Sequence, residues 1–159
     1  MNYRVAIIGG GLAGFSLMRA LLKQGVSADE ILLLEQLTPG SGSSGVLHGM
    51  MHPFTGRTLY PKPGYLEAWK YSLQWLADIQ SETETPLYRT LPLWRIALEP
   101  AAQRQFERSF LRAQDIPDYP MYRVENLNAW PLRDVLAAYA LNHSAQVNLP
   151  TLMAHLSKQ

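Results

Sequence analysis

An uninterrupted apolar run, Val5 to Ile8, meets three consecutive glycines, Gly9-Gly10-Gly11, and after a fourth at Gly14 the chain continues in helix formers to Gln24. Four apolar residues in a row read as a central parallel strand buried on both faces. Leu12 to Gln24 reads as a helix, with Lys23 near its end and Gly25 as its C-terminal cap. Ile31 to Leu34 is a second continuous apolar run. Strand, helix and strand within about 30 residues make a βαβ unit with a parallel sheet. In the spacing Gly9-x-Gly11-x-x-Gly14 each glycine has a mechanical task. The first permits the tight turn, the second admits a pyrophosphate to the backbone, and the third lets the helix pack close to the strand. The helix start at Leu12 and Ala13 then offers free N–H groups and roughly +0.5 of a charge to phosphates. Glu35, at the end of the second run, can accept both hydroxyls of an adenosine ribose, and Gln36 beside it joins the candidate site. A dinucleotide is the ligand this junction is built for.

The other glycines narrow the reading further. All 11 lie between Gly9 and Gly64, so residues 65 to 159 contain none. At the usual frequency of about 7% that stretch would hold six or seven. Close backbone approach is therefore a property of the first 64 residues alone. A chain of 159 residues is one ordinary domain by length, and a net charge of +1 gives no case for nucleic acid or an anionic membrane as partner. The absence of cysteine excludes disulfides, thiolate nucleophiles and cysteine metal sites. No apolar run approaches the roughly 20 residues of a membrane span. The expectation is a soluble cytoplasmic protein.

Beyond Glu35 the chain divides into a loop and a mixed segment. Residues 38 to 64 hold no convincing period. Tyr65 to Gln80 predicts an amphipathic helix with Leu66, Trp69, Leu73, Leu76 and Ile79 or Gln80 inward. Leu87 to Leu98 predicts a strand interrupted by Pro92, Ala101 to Gln114 a second helix, and Met121 to Asn126 another strand. Pro131 suits a helix's first position, with Leu132, Val135, Leu136 and Tyr139 as its buried stripe. Val147 and Leu149 suggest a last short strand. The expected architecture is α/β: a Rossmann-like dinucleotide-binding core from residues 1–60 and 129–159, with an inserted mixed α/β segment, 61–128.

NAD and FAD both fit the glycine fingerprint, and the segment Thr38 to Pro53 bears on the choice. Ser41, Ser43 and Ser44 can cap a helix and bond phosphate oxygens, while Gly42, Gly45 and Gly49 let backbone N–H groups face a planar ring. With Gly9, Gly11, Gly14 and Glu35, the stretches Ser41-Gly42-Ser43-Ser44-Gly45 and Gly49-Met50-Met51-His52-Pro53 resemble the N-terminal part of the D-amino-acid oxidase family of FAD-dependent oxidoreductases. That family contains glycine oxidase, sarcosine oxidase and the flavin domain of the bacterial enzyme that modifies the wobble uridine of transfer RNA. The resemblance implies that the first set holds the ADP half of FAD and that Ser43, Ser44 and Gly45 run past the pyrophosphate. It further implies that His48, Gly49, Met50 and His52 border the isoalloxazine ring. Ala129-Trp130-Pro131-Leu132, followed by Gln146-Val147-Asn148, resembles the family's return to its FAD domain. The implied reaction is oxidation of an amine or amino-acid C–N bond by hydride transfer to flavin.

The family is normally more than twice this length and closes its flavin site with a later Ala-Thr-Gly type strand and a glycine-rich C-terminal loop. Neither can exist in a stretch without glycine. The expectation is thus a truncated chain or half of a split enzyme, inactive alone, with Leu149, Leu152, Met153 and Leu156 exposed and awaiting a complementary C-terminal chain or self-association. Two alternatives share the fingerprint: an NAD-dependent or flavin monooxygenase-type relative, and a dinucleotide-binding remnant without catalysis. No metal site is expected, since no carboxylate lies near His48 and His52 in sequence. Arg57 is a candidate for a substrate carboxylate, although a solvated loop arginine is the plainer reading. Arg104, Arg108 and Arg112 fall on one helical face, but Glu107 beside them argues for a solvated stripe. No catalytic acid or base is assigned, which suits an enzyme whose cofactor carries the chemistry.

Overall fold

The computed structural model describes residues 2–127 and 132–158. In chain order the elements are β1 (Val5–Ile8), α1 (Leu12–Lys23), β2 (Ile31–Leu34), β3 (His48–Met51), α2 (Tyr65–Gln80), β4 (Tyr88–Ala97), α3 (Pro100–Ala113), β5 (Met121–Arg123), β6 (Ala137–Asn148) and α4 (Leu149–Leu156). The chain divides into two compact units, Met1–Gly49 with Val147–Gln159, and Met50–Gln146. The sequence reading sets the corresponding limits at 60 and 129.

In the first unit, β1 and β2 pair in parallel with Val5 opposite Ile31 and Ile8 opposite Leu34. The ladder continues past both ends, through Arg4 N–H to the Glu30 carbonyl at 2.8 Å and Gly9 N–H to the Leu34 carbonyl at 2.7 Å. Helix α1 ends as expected. The N–H of Gly25 bonds the Leu22 carbonyl, that of Val26 bonds the Leu21 carbonyl, and Gly25 takes a φ of +85°, the paired closure that glycine permits. The expected burial of β1 on both faces does not hold. Ile7 is buried, but Ile8 is 88% exposed and its partner Leu34 is 48% exposed. Among the described residues this sheet has only these two strands, so each keeps an uncovered side.

Two further expectations for this unit are corrected. Leu149 is not in a strand; it opens α4, with a proline in the first turn and the Asn148 side chain accepting the Thr151 N–H at 3.2 Å. Leu149, Leu152, Met153 and Leu156 are all buried, so they form no exposed patch. Their spacing of three, one and three places them on one helical face.

The second unit contains a sheet in the order β3-β6-β4, with β5 also pairing β6. Helix α2 spans the predicted residues, burying Leu66, Trp69, Leu76 and Ile79. Helix α3 likewise buries Phe106 and Ala113, and it adds Ser109, whose hydroxyl accepts the Leu59 N–H at 3.0 Å. β4 runs unbroken through Pro92. It stands at the end of the sheet order, where a residue without an N–H leaves no ladder bond unmade. β5 is shorter than expected, ending at Arg123.

The largest correction is β6. The expected stripe of Leu132, Val135, Leu136 and Tyr139 does not exist, since Leu132 lies in a bend and Tyr139 lies in a strand. Residues 129–131, which carried the supposed entry to that helix, lie outside the described residues. Ala137 to Leu141 are all buried. β6 neighbours three other strands, and small side chains at Ala137, Ala138 and Ala140 suit a strand covered on both faces. Tertiary pairing overrides the helix propensity of alanine and leucine here. The core of this unit gathers Phe54, Leu59, Leu66, Trp69, Phe106 and Tyr139, among others. Tyr139 meets Phe106 edge-on with ring centroids 6.2 Å apart.

Candidate functional site

The glycine turn follows β1, and its geometry fits the tight turn at Gly9 and the close helix packing at Gly14. Gly9 takes a φ of +105°, which side-chain-bearing residues rarely adopt. A Cβ on Gly14 would overlap the Gly9 carbonyl oxygen and lie 3.5 Å from Ile7 Cγ2, so α1 sits directly on the end of β1. Gly11 is the N-cap of α1 and offers no side-chain cap. Ser44, distant in sequence, does that work: its hydroxyl oxygen accepts the Leu12 N–H at 2.9 Å. A Cβ on Gly11 would come within 3.2 Å of that same oxygen. Ala13 follows on the exposed side of the first turn.

Glu35 closes the other side of the turn. One carboxylate oxygen accepts the Gly10 N–H at 2.6 Å and the other accepts the Leu37 N–H at 3.0 Å. Hydrogen bonds from the Leu37 and Gly10 backbones hold its carboxyl below the usual glutamate range, so it stays an anion. Gln36, next along, is exposed. The Gly10 carbonyl in turn accepts the Gly40 N–H at 2.8 Å, which ties the serine-glycine segment to the fingerprint. Gly10 and Gly40 were not among the sequence candidates. Gly40, buried with a φ of +80°, had a local signal in the Pro39-Gly40 pair.

Ser43 to Gly45 form a single 3₁₀ turn. Gly45 is needed there because a Cβ would stand 2.6 Å from the Gly40 carbonyl oxygen. Thr38, Ser41 and Ser44 line one side of a cavity of about 400 Å³, and Pro150, Met153 and Ser157 of α4 line the other. Gly49 has a packing reason of its own, since a Cβ would press to 3.2 Å from Leu149 Cδ1. His48 is exposed on β3.

The structure thus brings Gly9, Gly11, Leu12, Gly14, Glu35 and Ser44 together within the first unit. Met50 and His52 belong to the second. Met50 is 45% exposed. His52 is half-buried, and its Nδ1 accepts the Phe54 N–H at 3.2 Å, which leaves the ring proton on Nε2. Burial and the Arg95 charge hold the imidazole below its ordinary pKa, and so neutral. Arg95, absent from the sequence candidates, donates from Nη1 to the Gly56 carbonyl at 2.9 Å and from Nη2 to the Phe54 carbonyl at 3.4 Å. It shapes the turn that follows His52. Arg57 is exposed. Trp69 is 7% exposed, and its buried indole N–H has no hydrogen-bond partner among the described residues. An orphaned donor of this kind costs about 1–3 kcal/mol.

A family model described as FAD dependent oxidoreductase matches residues 4–159. The chain belongs to that family. The cofactor of the family is FAD, which selects flavin over NAD for the fingerprint. Over 79 residues the chain is 35% identical to the tRNA 5-methylaminomethyl-2-thiouridine biosynthesis bifunctional protein of Chromohalobacter salexigens, a match covering 49% of this chain and 11% of that one. Glycine oxidase from Geobacillus kaustophilus superposes with a TM-score of 0.80 at 22% identity, over 98% of this chain and 43% of its own. Iminodiacetate oxidase from Chelativorans sp. gives a TM-score of 0.71 at 25% identity, over 98% and 43%. The L-proline dehydrogenase of P. horikoshii gives 0.76 at 15% identity, over 99% and 41%. The chain therefore spans less than half the length of each of these relatives. Among the described residues no helix is long and apolar enough to cross a membrane.

Proposed function

We propose that this chain is the nucleotide-anchoring part of an FAD-dependent enzyme that oxidises the C–N bond of a small amine or amino acid. The observation that carries the proposal is the closed cradle of the first unit. Glu35 at the end of β2 bonds Gly10, and Ser44 bonds Leu12 at the start of α1. The residues present fit a dinucleotide, since side chains at Gly11 and Gly14 would fill the ground a pyrophosphate and the helix need. In this reading Gly11, Ala13 and Gly14 offer backbone N–H groups to the pyrophosphate, while Gly9 and Leu12, whose N–H groups are engaged by Leu34 and Ser44, shape the turn around it. Ser43, Ser44 and Gly45 flank it, and Glu35 with Gln36 receives the adenosine ribose. By family resemblance, His48, Gly49, Met50 and His52 border the isoalloxazine.

When bound, the flavin would supply the hydride acceptor needed to oxidise an amine C–N bond to an imine. This chain's residues bind and orient, and none is assigned a proton transfer. The first unit is the FAD-binding part, and Met50–Gln146 is the start of a substrate-binding part. The exposed pair Ile8 and Leu34 supports a further proposal: additional polypeptide, in the same chain or a second one, covers this sheet in the working enzyme. Glycine oxidase and iminodiacetate oxidase among the structural neighbours support a small amino-acid or amine substrate.

Titrating FAD with the 159-residue chain tests the anchoring. Quenching of flavin fluorescence that weakens in Glu35→Ala is expected. Tight NAD binding with no response to FAD would sink the proposal.

A further inference from the structure

Pro53 carries no N–H, so the first backbone donor after His52 is that of Phe54, and His52 Nδ1 accepts it at 3.2 Å. Phe54 is pinned on both sides of this bond. Its ring is 1% exposed, in the core of the second unit. Its carbonyl accepts from Arg95 Nη2 at 3.4 Å, and the Gly56 carbonyl accepts from Nη1 of the same guanidinium at 2.9 Å. We propose that Arg95 is a positioning residue, whose clamp on this turn fixes His52 with its acceptor at Nδ1 and its proton at Nε2.

The clamp is long-range. Arg95 belongs to β4, and β6 stands between β4 and β3, so a strand two places away holds the segment that leaves β3. The clamp also needs a fork. Gly56 takes a φ of +64°, a reversal that lets two carbonyls two residues apart meet one guanidinium. Arginine presents a planar set of donors there, where lysine would present a point charge. A histidine ring free to flip offers either nitrogen to the Phe54 N–H. Which nitrogen keeps the proton is set by the bond the other makes, so holding Phe54 still holds the tautomer. The electrostatics agree: burial first and the Arg95 charge second keep the imidazole neutral. The cavity beside His52 is lined by the polar Tyr65 and Ser72 and, among the described residues, by no acid that would oppose this. Where the resemblance puts His52, beside the isoalloxazine, it is then a neutral donor, neither a cation nor an acceptor. That role rests on the flavin reading proposed above, whereas the clamp does not.

The test uses the ¹⁵N-labelled 159-residue chain without flavin, its imidazole nitrogens followed by NMR through the histidine titration range. The His52 signals are assigned by their loss in His52→Gln. In the wild type the proton of the neutral ring is expected on Nε2. Arg95→Gln should raise the His52 pKa toward the ordinary 6.5, spread the proton over both nitrogens and speed exchange of the Phe54 amide about tenfold. Arg95→Lys keeps the charge without the fork. Its pKa should stay near the wild-type value, while the tautomer and the Phe54 amide respond as in Arg95→Gln. Ser44→Ala, a destabilising change in the first unit, should leave the His52 tautomer and pKa unmoved, which separates positioning from a general loss of stability. Should Arg95→Gln not fold, Arg95→Lys carries the test, and the wild-type tautomer is read without any variant. A wild-type ring protonated at Nδ1 overturns the proposal. So does a folded Arg95→Gln chain whose tautomer and Phe54 exchange match the wild type. An Arg95→Lys chain that restores both makes Arg95 a charge alone and overturns it equally. FAD titration is a separate measurement, and its failure would remove the role at the flavin while leaving the clamp standing.

Discussion

Replacing Gly14 by alanine sets two opposed effects against each other. Glycine within a helix is about 1 kcal/mol less favourable than alanine, so propensity alone makes Gly14→Ala stabilising. The packing says otherwise. The new Cβ would overlap the Gly9 carbonyl oxygen, and it would lie 3.2 Å from the Gly9 carbonyl carbon as well. Both neighbours are backbone, and Gly9 is held in place by its N–H bond to Leu34 at 2.7 Å. Relief therefore requires α1 to retreat from β1 by roughly 1 Å, a gap that forfeits about a quarter to a half of each dispersion contact along the seam. Forcing one carbon into a packed site costs about 1–3 kcal/mol, and a backbone collision belongs at or beyond the upper end. Subtracting the propensity gain leaves a net loss of about 2 kcal/mol. Urea unfolding followed by far-UV circular dichroism measures it, as a lower midpoint at unchanged slope. A Gly14→Ala chain as stable as the wild type, or more stable, would refute the seating of α1 on β1 and the third glycine's role with it.

Two other outcomes follow from the same geometry. Ser44→Ala removes the acceptor of the Leu12 N–H and should lower stability by about 1 kcal/mol in the same urea assay, the usual cost of losing a helix cap. His52 is held neutral by burial and by Arg95, so its folded pKa lies below the ordinary 6.5. The unfolded chain then binds the proton first, and stability should fall as pH drops below 6.5 and level off beneath the folded value. Midpoints compared at pH 7.5 and 5.5, with His52→Gln showing a smaller change, check the assignment.

The elements legible in the sequence were those whose signal is local. The βαβ unit was readable because a glycine fingerprint, two apolar runs and a terminal glutamate fall within one short window. Helices α2 and α3 were readable because the inward residues repeat at helical spacing over several turns. β6 was not. Its Ala137-Ala138-Tyr139-Ala140-Leu141 stretch has the composition of a helix, and only pairing with other strands, β5 just before it and the more distant β3 and β4, makes it extended. The resemblance puts the return to the first unit at residues 129–132 and 146–148, and the C-terminal part of that unit starts at Val147, with Asn148-Leu149-Pro150 opening α4. The site was legible in its residues but less so in its bonds. That Ser44 caps α1, that Gly10 meets Glu35, and that Arg95 shapes the turn after His52 are contacts between distant positions.

β3 and β6 carry the chain into and out of the second unit, and they are neighbours in one sheet. An insert whose two ends are already stitched side by side imposes little loop-closure penalty on its host, however long it grows, because that penalty rises only slowly with length. The segment from Met50 to Gln146 can therefore behave as an exchangeable cassette. Its length and sequence can change while the glycine turn, its glutamate and the serine that caps α1 stay untouched.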